Sequence, residues 1–173
     1  MSELLIQDNA IPEREQNYIK NVVTSYDLPW FYNETTAWDK DTKNQRPQFC
    51  HYLFYDNYVG SKYFQEFMNC LPIPEINNGY RLNKLKLNLT MPWKNRSVIK
   101  PHTDLNGAPG ITYLYYPITS DGPTIVWRNR WRKQKIDPIQ GRLVRMSGDM
   151  LHTGSNPHKY DRRIVLNIVL EKT

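Results

Sequence analysis

The feature that most constrains the fold of this chain is a series of short β-like segments after residue 80, separated by turn residues. Leu85, Leu87 and Leu89 alternate with polar residues, which is the period-two pattern of a strand with one buried face. Later segments rich in β-branched and aromatic residues are 111–116, 124–127, 143–146 and 164–170. Short strands joined by Gly, Pro and Asn turns are typical of antiparallel sandwiches and barrels, so a mainly β protein is expected.

The first 80 residues have a mixed pattern and predict the helices of the protein. Residues 61–71 carry apolar side chains at helical spacing, and Ser61 is suited to cap this helix. A shorter amphipathic helix is expected around 19–23, and the aromatic segment 49–55 predicts a strand. We expect these helices to pack on the outside of the β-structure.

Length and composition exclude several classes of protein. One domain, 1–173, is expected because domains commonly have about 100–200 residues and no break in composition divides the chain. No apolar run approaches the about 20 residues of a membrane span, and the polar N-terminus is unlike a secretory signal. Cys50 and Cys70 are too few for a disulfide framework, so we expect reduced thiols, a cytoplasmic location and no membrane partner. The oligomeric state stays open.

Charge is distributed unevenly along the chain, which has 23 Lys and Arg against 17 Asp and Glu. Residues 1–80 contain 6 basic and 11 acidic residues, whereas residues 81–173 contain 17 and 6. The basic half indicates an anionic partner. Nucleic acid and a small dianionic cosubstrate both fit this pattern, and so does a basic face that contacts only solvent.

Histidine and aspartate residues in the β-rich half form the strongest candidate site. His102 and Asp104 are two positions apart, so on a strand their side chains point to the same face. His152 follows just beyond a predicted strand end. Two imidazoles and one carboxylate on one face are the facial triad of non-haem Fe(II) oxygenases, although His102 and Asp104 alone also fit an ordinary turn. His51 has no partner at metal spacing, and His158 is predicted to lie in a loop.

The order of these motifs resembles one enzyme family. His102-Thr103-Asp104, then His152, then the apolar segment that begins at Arg163 are similar to the His-x-Asp, His and Arg pattern of the Fe(II)/2-oxoglutarate-dependent dioxygenases. The likeness covers roughly residues 81–172 and is closest to the prolyl 4-hydroxylase-like branch. It implies a double-stranded β-helix, a distorted jelly roll of the cupin type, over 81–173, with 1–80 as support and possible lid.

The resemblance also implies the role of each matching residue. His102, Asp104 and His152 match the iron ligands, and Fe(II), 2-oxoglutarate and O₂ are the implied cofactor and cosubstrates. Arg163 matches the residue that pairs with the distal carboxylate of 2-oxoglutarate, which a guanidinium binds with two parallel hydrogen bonds. Arg162 is the alternative, but strand alternation places Arg163 on the face that also carries polar residues.

Further cosubstrate contacts are implied on two other strands. Tyr116 matches a family tyrosine that hydrogen-bonds the same carboxylate, and Thr112 shares its face of the strand. Asn88 lies on the polar face of the strand before the iron motif. No side chain beyond the iron ligands is implied to act as an acid, a base or a nucleophile.

The implied reaction is hydroxylation of a C–H bond, with succinate and CO₂ as coproducts. Because the local motifs resemble prolyl hydroxylases, a prolyl residue in a protein or peptide is the expected substrate. A basic, aromatic-interleaved segment supports an alternative, since such segments can bind a nucleic-acid backbone and stack a base. Its residues are Arg128, Arg130, Trp131, Arg132, Lys133 and Lys135. Nucleic-acid oxidation or demethylation is therefore the alternative function, and a non-catalytic cupin-like metal- or ligand-binding protein is the second alternative.

Overall fold

A computed structural model describes residues 3–34, 47–76, 78–93 and 100–173, and strands dominate them. The elements are β1 (Leu4–Gln7), α1 (Glu13–Thr24), β2 (Phe31–Asn33), β3 (Gln48–Tyr55), β4 (Tyr58–Val59), α2 (Phe64–Cys70), β5 (Tyr80–Thr90), β6 (Gly110–Tyr115), β7 (Thr124–Trp127), β8 (Lys133–Ile136), β9 (Leu143–Ser147), β10 (His152–Gly154) and β11 (Arg163–Lys172). The mainly β prediction is therefore confirmed.

The strands form two antiparallel sheets. The larger sheet has eight strands in the order β1-β9-β6-β11-β5-β3-β2, with β4 paired to β3. The smaller sheet has three strands in the order β10-β7-β8. Neighbours in the sheets are distant in the sequence, as β11 lies between β5 and β6. This is the arrangement of a jelly-roll double-stranded β-helix, which confirms the predicted fold class.

Alternation along the central strand β11 divides the apolar residues into two clusters. Ile164, Leu166 and Ile168 belong to the cluster that also contains residues of both helices, such as Ile19 of α1 and Phe67 of α2. A second cluster lies between the two sheets and contains Leu114, Tyr116, Val126, Val144, Met146 and Val165. The helices thus cover the outer face of the larger sheet, as expected. Its inner face carries the second cluster and the residues of the candidate site.

The second helix differs from its prediction in where it begins. Ser61 does not cap α2, which begins at Phe64 after a turn. The Ser61 hydroxyl accepts the backbone N–H of Tyr63 at 3.3 Å, and the Ser61 carbonyl accepts the N–H of Phe64 at 3.2 Å. A serine that binds the backbone two residues ahead stabilises a turn, so it competes with helix initiation at that position. Among the described residues, no helix is long and apolar enough to cross a membrane.

Candidate metal centre

The two sheets meet at the predicted histidine and aspartate residues. His102 and His152 form an isolated antiparallel bridge, with backbone N···O distances of 2.9 and 3.0 Å. This bridge holds the two rings side by side, with centroids 4.7 Å apart. Asp104 follows two residues after His102, and one ligating atom from each of the three residues lies within 4.8 Å of the others. Within the described ranges, no other group of three His, Cys, Asp or Glu residues comes together in this way.

The Asp104 carboxylate is held from three strands of the larger sheet. Lys84 on β5 forms an ion pair with Oδ1 at 2.9 Å, and Asn167 on β11 donates to the same oxygen at 3.1 Å. Thr112 on β6 donates to Oδ2 at 3.1 Å. The His152 Nε2 atom lies 3.5 Å from that second oxygen. One carboxylate oxygen is therefore turned toward the histidines.

Electrostatics keep Asp104 ionised. Burial by itself raises the pKa of this carboxyl group, but the Lys84 ammonium, joined at low pH by the two protonated histidines, outweighs burial and holds the pKa below its ordinary value of 3.8. The pKa of His102 is lowered, mainly by burial and then by His152. A neutral imidazole beside an ionised carboxylate is the protonation state that metal binding requires.

The orientation of the histidines also suits a metal. The Nδ1 atom of His152 lies 3.0 Å from the carbonyl oxygen of Met150, and that of His102 lies 3.4 Å from the carbonyl of Lys100. A carbonyl can only accept, so these contacts place the proton on Nδ1 and leave the Nε2 lone pair free. The donor set of two imidazole nitrogens and one carboxylate fits a first-row divalent metal such as Fe(II).

Arg163 is a buried cation near this cluster. It is only 6% exposed, and no carboxylate pairs with it in the part of the chain that the structure describes. Its guanidinium donates to the Gly122 carbonyl at 2.6 Å and to the Thr124 hydroxyl at 2.8 Å. The Tyr116 hydroxyl lies 2.7 Å from the same Thr124 oxygen. Burial lowers the pKa of Arg163, which shows how unfavourable the charge is without an anion.

Small residues make room for this guanidinium. A Cβ atom at Gly154 would lie 3.2 Å from its NH1 nitrogen, and one at Gly122 would lie 3.0 Å from the Arg163 side chain. Gly154 pairs with Thr124 and His152 pairs with Val126 in the β10–β7 ladder. Two residues of a strand span about 7 Å, so the guanidinium lies about that far along the ladder from the His152 position. This separation suits an elongated dianion that reaches from the histidines to Arg163.

The predicted cosubstrate residues fall in different places. Arg162 is exposed, which agrees with the preference for Arg163 as the buried residue. The Tyr116 hydroxyl contacts Thr124, which in turn accepts a hydrogen bond from Arg163. Thr112 instead donates to Asp104. Asn88 lies opposite Val165 on the inner face. His51 lies apart, with Nδ1 2.8 Å from the Pro29 carbonyl, and His158 is in an exposed loop.

Sequence reasoning missed three residues of the site, which are Lys84, Asn167 and Thr124. The alternation of Lys84 and Lys86 with leucines was a usable signal, because lysine on an inward face is rare unless it has a partner. Asn167 shares the face of Arg163 and offered the same signal. Nothing local indicates Thr124, since its two partners are Tyr116, just after β6, and Arg163 of β11.

The basic segment 128–135 forms the turn and the second strand of the β7–β8 hairpin. Its turn is closed by the Arg128 N–H on the Arg132 carbonyl at 2.9 Å, and Trp131 at the tip is 85% exposed. Among the described residues, no carboxylate pairs with any of its five cations. The hairpin starts beside the histidines, because Val126 of β7 pairs with His152.

Known proteins share this fold at low sequence identity. An oxidoreductase of the 2OG-Fe(II) oxygenase family from Burkholderia pseudomallei has a TM-score of 0.76 at 13% identity, over 99% of this chain and 85% of that chain. A prolyl hydroxylase from Trichoplax adhaerens, in complex with a peptide fragment of the hypoxia inducible factor oxygen degradation domain, has a TM-score of 0.69 at 17% identity, over 98% and 83%.

A third protein with a similar fold is named for a different reaction, epimerisation. The epimerase SnoN, in complex with Fe³⁺, alpha ketoglutarate and nogalamycin RO, has a TM-score of 0.68 at 12% identity, over 99% of this chain and 79% of that chain. No family model matches the sequence, and no curated protein matches it. The chain therefore has the fold of the 2-oxoglutarate-dependent Fe(II) oxygenases.

Proposed function

We propose that this protein is an Fe(II)- and 2-oxoglutarate-dependent dioxygenase that hydroxylates a C–H bond. The observation that carries the proposal is the pairing of two features on one inner face. A compact cluster of His102, Asp104 and His152 lies about two strand residues, or about 7 Å, from the buried and anion-free Arg163. A metal site and a carboxylate site at that spacing are what a chelating dicarboxylate needs.

The metal would be held by His102, Asp104 and His152. When bound, Fe(II) supplies the site at which O₂ oxidises a substrate C–H bond, coupled to oxidative decarboxylation of 2-oxoglutarate to succinate and CO₂. Lys84, Asn167 and Thr112 act on Asp104, because their hydrogen bonds fix the carboxylate with one oxygen toward the histidines. Supporting residues of this kind orient a ligand before the metal arrives.

Arg163 would bind the distal carboxylate of 2-oxoglutarate. Its guanidinium is anchored by Gly122 and Thr124, so it is held in place before the cosubstrate binds. The hydroxyls of Thr124 and Tyr116 are within reach of an anion at Arg163, and they add neutral hydrogen bonds to the ion pair. No side chain is assigned to proton transfer in this scheme.

A prolyl residue of a protein or peptide is the proposed substrate. The resemblance of the iron motifs to the prolyl 4-hydroxylase-like branch supports it, and so does the fold shared with a peptide-bound prolyl hydroxylase. The shared fold of SnoN shows that the same scaffold also acts on a quite different molecule. The substrate must therefore be tested directly.

The first test is an anaerobic titration of the metal-free protein with Fe(II) and 2-oxoglutarate. We expect the visible charge-transfer band of the chelate in the wild type and a strong loss of it in His152→Ala and Arg163→Ala. Matched controls are His158→Ala and Arg162→Ala, which remove exposed side chains of the same types. A wild type without the band would favour the non-catalytic metal- or ligand-binding alternative.

Nucleic-acid oxidation is a second candidate, favoured by the β7–β8 hairpin. Unpaired cations and the exposed Trp131 lie at the end of a strand that pairs with His152. Retention of the protein on single-stranded DNA should then fall steeply with salt, and replacement of Trp131 and Arg132 by Ala should weaken it. Succinate release stimulated by an oligonucleotide, but not by prolyl peptides, would favour this candidate over the first.

A further inference from the structure

Lys86 lies on the inner face of the larger sheet, beside residues that hold Asp104. It is directly opposite Asn167 of β11 and Tyr52 of β3, so all three side chains share one face. Asn167 in turn donates to Asp104. Arg163 is four residues from Asn167 along β11, which is about 13 Å. Lys86 is therefore level with a residue that holds Asp104, about 13 Å along the sheet from the Arg163 position.

The Lys86 ammonium has no anion of its own among the described residues. Its Nζ atom lies 4.9 Å from the centre of the Tyr52 ring, and Tyr55 packs against that ring with centroids 5.6 Å apart. Lys84, two residues earlier on the same face, is by contrast paired with Asp104 at 2.9 Å. Lys86 is half-buried, and burial lowers the pKa of its ammonium group. A half-buried cation that contacts an aromatic ring and has no carboxylate within ion-pair distance is stabilised when an anion joins it.

We infer that Lys86 and Tyr52 form a subsite for a carboxylate group of the substrate. The inference rests on the proposed function, because it places the subsite beside the centre that would oxidise the substrate. The described residues offer two cations without carboxylate partners on this inner face, the buried Arg163 and the half-buried Lys86, so each can orient one of two anionic molecules. Arg163 takes the cosubstrate, and Lys86 takes the substrate. In a peptide the carboxylate would belong to an acidic residue near the target residue.

A peptide panel on the full-length, metal-free protein tests this subsite. Each fluorescent, terminally blocked peptide contains one proline and one Glu at a different distance from it, and has a twin with Gln in place of Glu. Because an ammonium group binds a carboxylate more tightly than a neutral amide, we expect one Glu peptide to bind about tenfold more tightly than its twin. A second arm compares N-acetylproline with its amide, which distinguishes a free amino-acid carboxylate from an acidic peptide side chain.

Variants identify the residue responsible. Lys86→Met should reduce the Glu-to-Gln ratio of affinities to less than about twofold, whereas Lys86→Arg should keep it, because the guanidinium is also a cation. Lys62→Met is the matched control, since Lys62 lies 5.0 Å from the centre of the Tyr63 ring in the same kind of contact but on the exposed surface. Circular dichroism and thermal unfolding establish that each variant is folded.

Two results would overturn the subsite. One is equal binding of all Glu and Gln twins, and of both proline derivatives, to the wild type. The other is a preference for the carboxylate that survives in Lys86→Met. The binding assay needs neither iron nor turnover, so its result is independent of the chelate titration. Loss of the chelate band would refute the proposed function, while the twin peptides would still decide whether Lys86 selects a carboxylate.

Discussion

The Thr124 hydroxyl contacts both Arg163 and Tyr116 in the proposed carboxylate site. Its oxygen accepts from Arg163 at 2.8 Å and lies 2.7 Å from the Tyr116 hydroxyl. Thr124→Val keeps the shape but leaves both partners without this contact. We expect a rise of about tenfold in the 2-oxoglutarate concentration that half-saturates the chelate band, since a hydrogen bond to a charged group contributes about 1.5–3 kcal/mol. Thr119→Val, at an exposed threonine, is the control, and an unchanged half-saturation in Thr124→Val would contradict the site.

The ion pair between Lys84 and Asp104 makes a prediction about stability and pH. Lys84→Met leaves a buried carboxylate without its cation, and removal of one partner of a buried pair costs about 3–5 kcal/mol. The pKa of Asp104 is lowered in the folded protein, so the ionised form contributes stability above the ordinary carboxyl pKa of 3.8. That contribution is lost as the pH falls toward the folded-state pKa.

Urea unfolding of the metal-free protein should therefore show a large loss in Lys84→Met at pH 7 that shrinks below about pH 4. Arg81→Met is the matched control, because Arg81 forms an exposed ion pair with Glu171 and such pairs contribute about 0–1 kcal/mol. A Lys84→Met loss that is the same at pH 3.5 and pH 7 would show that the loss does not depend on the charge of Asp104.

At the scale of single residues, the sequence predicted the cluster of His102, Asp104 and His152 but not the residues that hold the Asp104 carboxylate. His102 and Asp104 could be placed on one face because strand alternation is a local rule. The contacts of Lys84, Thr112 and Asn167 to Asp104 depend on which strands are neighbours, and that information is not local.

Among the secondary-structure elements, the β10–β7 ladder sets the distance between the cluster of His102, Asp104 and His152 and the Arg163 guanidinium. His152 and Gly154 belong to the same three-residue strand, and Gly154 faces the Arg163 guanidinium. Gly154→Ala places a methyl group 3.2 Å from a guanidinium nitrogen, which forces the Arg163 side chain to shift. We expect weaker binding of 2-oxoglutarate with unchanged binding of the metal alone.

Two separate titrations check this prediction. Co(II) absorption reports metal binding without the cosubstrate, and the Fe(II) chelate band reports 2-oxoglutarate. Equal weakening of Co(II) binding and of 2-oxoglutarate binding would mean that the substitution disturbs β10 as a whole. It would contradict the prediction that Gly154→Ala affects only the cosubstrate.

Strands were predicted more accurately than helix boundaries. The segments rich in β-branched and aromatic residues located β6, β7, β9 and β11 to within about two residues, because Gly, Pro and other turn residues mark where such segments begin and end. The start of α2 was wrong, since Ser61 can satisfy either a helix cap or a turn and the outcome depends on the packing of Phe64 and Phe67. The pairing order of the strands was not predictable from any local pattern.

For the whole molecule, the uneven charge distribution forms ion pairs within the chain that the sequence did not reveal. Arg142 pairs with Asp8, and Arg145 pairs with Glu3 and Glu75, so part of the basic half binds the acidic half. The cations that stay unpaired include those of the β7–β8 hairpin and Lys86, which are near the candidate centre. Part of the charge asymmetry therefore joins the two halves of the chain.

The proposed metal ligands also connect the two sheets, and this predicts a stepwise stabilisation of the whole fold. His152 belongs to the smaller sheet, whereas Asp104 is fixed by β5, β6 and β11 of the larger one. A ligand at 100 times its dissociation constant adds about 2.7 kcal/mol to the free energy of unfolding. Anaerobic calorimetry should thus show one rise in melting temperature with Fe(II) and a second with 2-oxoglutarate. His152→Ala should lose both rises, and Arg163→Ala should lose only the second, because Arg163 is proposed to bind the cosubstrate and not the metal. Loss of the first rise in Arg163→Ala would contradict this division of the site.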